Sequence, residues 1–173
     1  MSKKVMPLSG NSSFVTYRCY YKDFPKRTNV RNHTTPICRG LEKIKLAIIG
    51  SRTLINFDKK VIISHIPPET TAIISGGAQG IDNLAKSIAE ELGLPFLEVL
   101  PNYKKHGKTA PLTRNAAIVS MADRVLAVWD FTSRGTAHVI AQCIEQKVPV
   151  QVIGPDGIPS LLNNQNPSNH TPT

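Results

Sequence analysis

The stretch AIISGGAQGIDNLAKSIAEELG, Ala72 to Gly93, joins a short apolar run to an amphipathic pattern through a corner holding three glycines in five residues. The run is rich in isoleucine and bounded by glycine, as a strand buried on both faces would be. After the corner, Ile81, Leu84, Ala85, Ile88 and Leu92 recur at helical spacing, with Lys86 and Glu90 on the opposite side. The stretch therefore predicts a strand, a tight turn and a helix over 81–92.

The same alternation continues on either side. IKLAIIG (44–50) precedes a helical pattern over 54–66 that Pro67-Pro68 closes. PFLEVL (95–100) follows, then a helix over 114–122, a strand over 124–130, a helix over 136–146 and a last strand over 148–153. Strands separated by helices predict a parallel sheet covered on both faces. The expected fold is a Rossmann-like, doubly wound α/β domain of about five strands in the order 3-2-1-4-5. The domain spans 44–155, between an N-terminal arm (1–43) and a polar tail (156–173), both expected to be flexible.

Composition fits this reading. The 173 residues are 40% hydrophobic and 19% charged, which suits one globular domain with tails. No stretch is long and apolar enough for a membrane span, and no secretory signal is expected. Three cysteines, without metal-ligand spacing, fit a reducing cytoplasm, and Cys143 reads as a small core residue. The net charge of +9 is unevenly spread: residues 1–45 hold ten Lys/Arg against two acids, residues 46–173 eleven against ten. The arm, and not the domain, carries the basic excess. It reads either as a solvated extension or as a segment that contacts nucleic acid.

In doubly wound sheets, ligands bind beyond the carboxyl ends of the strands where the order reverses. Four strands end in polar corners on that edge. Strand 1 ends in Gly50, Ser51 and Arg52, and strand 2 in Ser75, Gly76, Gly77, Gly80 and Asp82. Strand 3 leads to Arg114 and Asn115, and strand 4 to Asp130, Ser133, Arg134, Gly135 and Thr136. Glycines before a helix let an anion reach unpaired backbone N–H groups at the positive end of the helix dipole. The same glycines also suit a turn that needs them for packing alone. Asp82 reads as a cap, with a second role facing ribose hydroxyls. Arg52, Arg114 and Arg134 facing two helix starts suit a nucleotide or a ribose-phosphate derivative. Trp129 is expected in the core, Tyr103 is the better stacking residue, and His138 reads first as an ordinary surface or partly buried histidine and only second as a residue that reaches the site. There is no hydrolytic triad, no HExxH and no paired carboxylates, so the residues leave open whether a reaction is catalysed.

The ordered set GSR, SGGAQGID, GKTAPLTRN and WDFTSRGT resembles the SLOG superfamily of Rossmann-like domains, which includes the DNA-processing protein DprA (Smf) and the YspA/YpsA-related proteins. The resemblance covers about residues 45–153. It implies a nucleotide or ADP-ribose-like ligand held by the corner residues named above, with Gly107 and Lys108 in the third segment, and a homo-oligomer. Phe131 and Pro111 stand where the YspA-like branch has glycine. The likeness to DprA implies single-stranded DNA as an alternative partner. The likeness to the Lonely-guy branch implies a nucleoside monophosphate phosphoribohydrolase, but Val139 stands where that branch has its glutamate.

Overall fold

A computed structural model describes residues 16–20, by their backbone, and residues 43–160. These build strands β1 (Thr16–Tyr20), β2 (Ile44–Gly50), β3 (Thr70–Ser75), β4 (Phe96–Leu100), β5 (Arg124–Val128) and β6 (Val150–Ile153). The helices are α1 (Lys59–Ser64), α2 (Ile81–Glu91), α3 (Tyr103–His106), α4 (Ala110–Met121) and α5 (Arg134–Gln146), with a 3-10 turn at Gly107–Thr109. All strand pairs are parallel, in the order β1-β4-β3-β2-β5-β6. From β4 to β6 this is the expected Rossmann-like α/β order, with the reversal between β2 and β5.

Side chains alternate across a strand, so each central strand feeds two cores. From β2, Leu46 and Ile48 join Ile62, Ile73, Ile81, Ile88 and Phe96 on the α1/α2 side. Ala47 and Ile49 join Ile74, Ile118, Val139 and Cys143 on the α4/α5 side. This is why the strands read as unbroken apolar runs. Burial pushes the Cys143 thiol up to about 12, as befits a core residue. Trp129 packs at the margin of the same core.

Several boundaries differ from the sequence expectation. The helix expected over 54–66 shrinks to Lys59–Ser64, because the Asp58 carboxylate accepts the Lys60 N–H and caps the helix there. The helix expected from 114 begins at Ala110, with Pro111 in its first turn, where a missing N–H is harmless. Most of 101–113, between the expected strand and the expected helix, is therefore helical. Thr16–Tyr20, inside the expected arm, adds an edge strand to β4. Residues 154–160, across the expected domain boundary, fold back on β6 through bonds from Gly154 N–H to Ile158 O and from Ser160 N–H to Val152 O. The rest of the expected arm and tail (1–15, 21–42 and 161–173) lies outside the described residues. Among the described residues, no helix is long and apolar enough to cross a membrane.

Ile74 on β3 is 1% exposed, whereas Ile144 on α5 is 58% exposed. Ile74→Ala should cost about 2–5 kcal/mol in urea denaturation, and Ile144→Ala less than about 0.5 kcal/mol. Equal costs would contradict the two-faced core.

Candidate functional site

A cleft opens at the carboxyl edge of the sheet, beyond the paired ends of β2 and β5, where the strand order reverses. Gly50 at the end of β2 and Arg52 after it, Asp82 from α2, Arg114 and Asn115 from α4, and the α5 N-cap Ser133 with Gly135 and Thr136 all line it. The apolar wall is formed by Ile49, Ala78, Pro111, Leu112 and Val139. Of this wall the sequence reading singles out Pro111 and Val139; Leu112, three residues before Asn115, shares its helix face and is missed.

The glycine corner is shaped around two charged side chains. A side chain at Gly76 would collide with the Arg114 guanidinium, which lies across that residue. At Gly80, with φ +76°, a Cβ would stand 2.6 Å from the Ser51 carbonyl oxygen in a conformation costly for other residues. The turn presents the Ala78 N–H to Asp82 Oδ2 at 3.1 Å, and the Gly50 N–H donates to the same carboxylate. Asp82 Oδ2 also lies 3.5 Å from Arg114 Nη1, and the two side chains are only 5% and 9% exposed. Asp82 thus braces the turn before α2 through Ala78, and no side chain caps the N–H groups of α2 itself, unlike the cap the sequence reading expects.

Burial pushes the Asp82 carboxyl above its ordinary value, opposed by the Arg114 charge and by the bonds from Ala78 and Gly50. Burial likewise lowers Arg114, opposed by Asp82. Arginine retains its proton in proteins, and a neutral Asp82 would leave that cation buried without compensation. The pair is therefore ionic. One polar atom in it stays unserved: Arg114 Nε is buried and has no hydrogen-bond partner.

The second corner is held by Asp130. Its carboxylate accepts from Thr53 Oγ1 at 2.6 Å, from the Thr132 N–H at 2.9 Å and from the Ser133 N–H at 2.7 Å. Its own N–H donates to Ser51 Oγ at 3.1 Å. Burial raises the Asp130 carboxyl, but these donated bonds prevail and hold it well below the usual carboxylate range. Ser133 Oγ caps α5, accepting from the Thr136 N–H at 3.5 Å and from Thr136 Oγ1 at 3.2 Å. Asn115 Nδ2 donates to the Gly135 carbonyl at 3.3 Å and ties α4 to the start of α5.

Other expected site residues serve the frame. Ser75 Oγ is buried and donates to the Ile48 carbonyl at 2.7 Å. Ser51, Ser75, Gly76, Gly77, Gly80, Asp130 and Arg134 do not line the cleft. Trp129 Nε1 donates to the Ser133 carbonyl at 3.1 Å, and its ring meets Phe131 at 5.3 Å. Tyr103 is exposed on α3, and His138 lies outside the cleft lining with Nδ1 buried and unpaired. Among the described residues no three His, Cys, Asp or Glu side chains converge on one point.

Residues 37–106 match the family model of DNA recombination-mediator protein A. The match runs from just before β2 to the end of α3 and contains the glycine corner. It stops short of Arg114 and the β5–α5 corner, where the likeness to the YspA-like and Lonely-guy branches rests. No curated protein and no solved structure matches the chain.

Two outcomes follow from the buried and hydrogen-bonded carboxylates. Asp82→Ala strands Arg114 and should lower stability by about 3–5 kcal/mol. The double variant Asp82→Leu/Arg114→Met should lose clearly less than the single one, so equal losses would argue against the pair. For Asp130 the folded pKa lies below the unfolded one, so its stabilisation is present above about pH 4 and is lost as the pH falls through the folded value. The stability difference between wild type and Asp130→Asn should therefore stay constant from pH 7 to pH 5 and narrow below about pH 4. A difference independent of pH in urea titrations would refute this.

Proposed function

We propose that the cleft binds a nucleotide or nucleotide-derived phosphate ligand. The observation that carries this reading is the buried Arg114 Nε without a partner, on a side chain that lines a cleft shared with Arg52 and the start of α5. A buried donor left empty is costly, and a ligand oxygen would fill it. The positive end of the α5 dipole, the Ser133 and Thr136 hydroxyls and the exposed Arg52 suit a phosphate. Pro111, Leu112 and Val139 suit the flat apolar face of a base or sugar.

The lining contains one carboxylate, Asp82, and it is already engaged by Arg114 and two backbone N–H groups. Val139 is apolar and 2% exposed at the wall. This favours binding over glycosidic-bond hydrolysis, which uses a free carboxylate. Isothermal titration with AMP and with ADP-ribose should show saturable binding to at least one. Arg52→Ala, at an exposed residue, should weaken it about tenfold or more without changing the melting temperature. No binding, or equal affinity in the variant, would sink the reading.

A second reading, binding of single-stranded DNA, is favoured by the match to DNA recombination-mediator protein A and by the surface next to the cleft. Residues 99–122 contain Lys104, Lys105, Lys108 and Arg114 but no acidic residue, and Tyr103 is 60% exposed. Exposed cations beside an aromatic ring suit a single strand. Oligonucleotide affinity should fall steeply with salt and drop in Lys104→Ala/Lys105→Ala/Lys108→Ala. Binding indifferent to both would remove this reading.

A further inference from the structure

We propose that Asp82 is an internal occupant of the glycine corner that excludes phosphate from the start of α2 and so fixes the ligand's direction: anionic end at α5, uncharged oxygen at Arg114 Nε. This rests on the reading of the cleft as a phosphate-ligand site.

The two corners have similar sequences but different fillings. At α2 the donors that a glycine turn would offer to an anion are already spent. The Ala78 N–H and the Gly50 N–H both reach the Asp82 carboxylate, and each N–H offers one proton. The Arg114 Nη1 beside them faces the same oxygen at 3.5 Å. An incoming phosphate would lose these donors and meet a like charge within a few ångströms, in a buried setting that strengthens the repulsion. At α5 the cap is a neutral hydroxyl, Ser133 Oγ, and its bond to the Thr136 N–H is long at 3.5 Å. The Asp130 carboxylate takes the Thr132 and Ser133 N–H groups ahead of the helix but lies outside the cleft lining, which Gly135, Thr136 and the exposed Arg52 share.

Arg114 sets the other end. Its side chain is nine-tenths buried, it lines the same cleft, and Nε has no partner. Asp82 already balances its charge. An acceptor without a full charge, such as a hydroxyl or carbonyl oxygen, completes Nε without adding an unbalanced anion to a buried site. The lining thus distinguishes a ligand carrying phosphate at one end and neutral oxygens at the other from one that is anionic throughout.

Inorganic phosphate is the probe, followed by amide 1H–15N shifts in the full chain. In wild type the Gly135 and Thr136 amides should shift saturably while Ala78 and Gly50 stay still. In Asp82→Ala the Ala78 and Gly50 amides should respond as well, with phosphate at least tenfold tighter there than in wild type. Formate, standing in for the lost carboxylate, should raise the melting temperature of Asp82→Ala saturably and leave wild type unchanged. Saturable shifts of Ala78 and Gly50 in wild type would overturn the proposal. So would an Asp82→Ala protein that neither phosphate nor formate affects or restores. If Gly135 and Thr136 ignore phosphate and AMP in wild type while Asp82→Ala gains the corner site, the nucleotide reading and the placement at α5 fail, and Asp82 remains the occupant of the corner.

Discussion

The buried ion pair between Asp82 and Arg114 is the interaction on which the carboxyl edge depends. It joins three elements that the sheet alone would leave independent: the end of β2 through the Gly50 N–H, the β3–α2 turn through the Ala78 N–H, and α4 through the guanidinium. Two ions taken out of water are costly, and geometry this constrained is needed to recover the cost. The glycines follow from that requirement. Gly76 leaves room for the guanidinium, and the positive φ at Gly77 and Gly80 turns the backbone toward the carboxylate. The corner's composition is thus explained first by what the protein holds for itself.

The sheet supplies the frame for this pair. Because β2 is buried on both faces, neither α2 nor α4 can shift without opening one of the two cores. Asp82 and Arg114 approach the strand end from these two helices. The pair is therefore positioned by apolar packing and in turn fixes how the polar edge is arranged. Asp130 has the matching role at the end of the neighbouring β5, binding the loop after β2 through Thr53 and Ser51.

Much of the fold was legible in the sequence because burial on both faces leaves an unbroken apolar signature, and because glycine and proline punctuate it. The parallel sheet was readable from the alternation, whereas its order rested on an assumed reversal after the third strand, which the structure has between β2 and β5. Contacts between distant residues were less legible. Nothing local in TRNAA says that Arg114 will lie across Gly76, and nothing in SGGAQG says that its donors face a carboxylate instead of the open cleft. Local polar chemistry hid other features: Asp58 cut α1 short, while Pro111, which reads as a loop residue, stands inside the first turn of α4. The edge strand Thr16–Tyr20 had a cluster of tyrosines as its signal but no periodicity.

Phe131 shows how firmly the edge is imposed on the chain. It sits at φ +60° and is 53% exposed, in a conformation that glycine adopts freely and that costs other residues about 1–2 kcal/mol. Its backbone has little choice, because the Asp130 carboxylate fixes the N–H groups of both Thr132 and Ser133 beyond it. The ring offsets some of that cost by packing against Trp129, whose indole is itself anchored to the Ser133 carbonyl. A glycine at this position would keep the same turn and remove the ring. The phenylalanine therefore shapes the surface beside α5 and not the path of the backbone. The entry to the α5 corner is fixed by Asp130, Ser133 and Trp129, and Phe131 presents its ring beside it, half exposed to solvent.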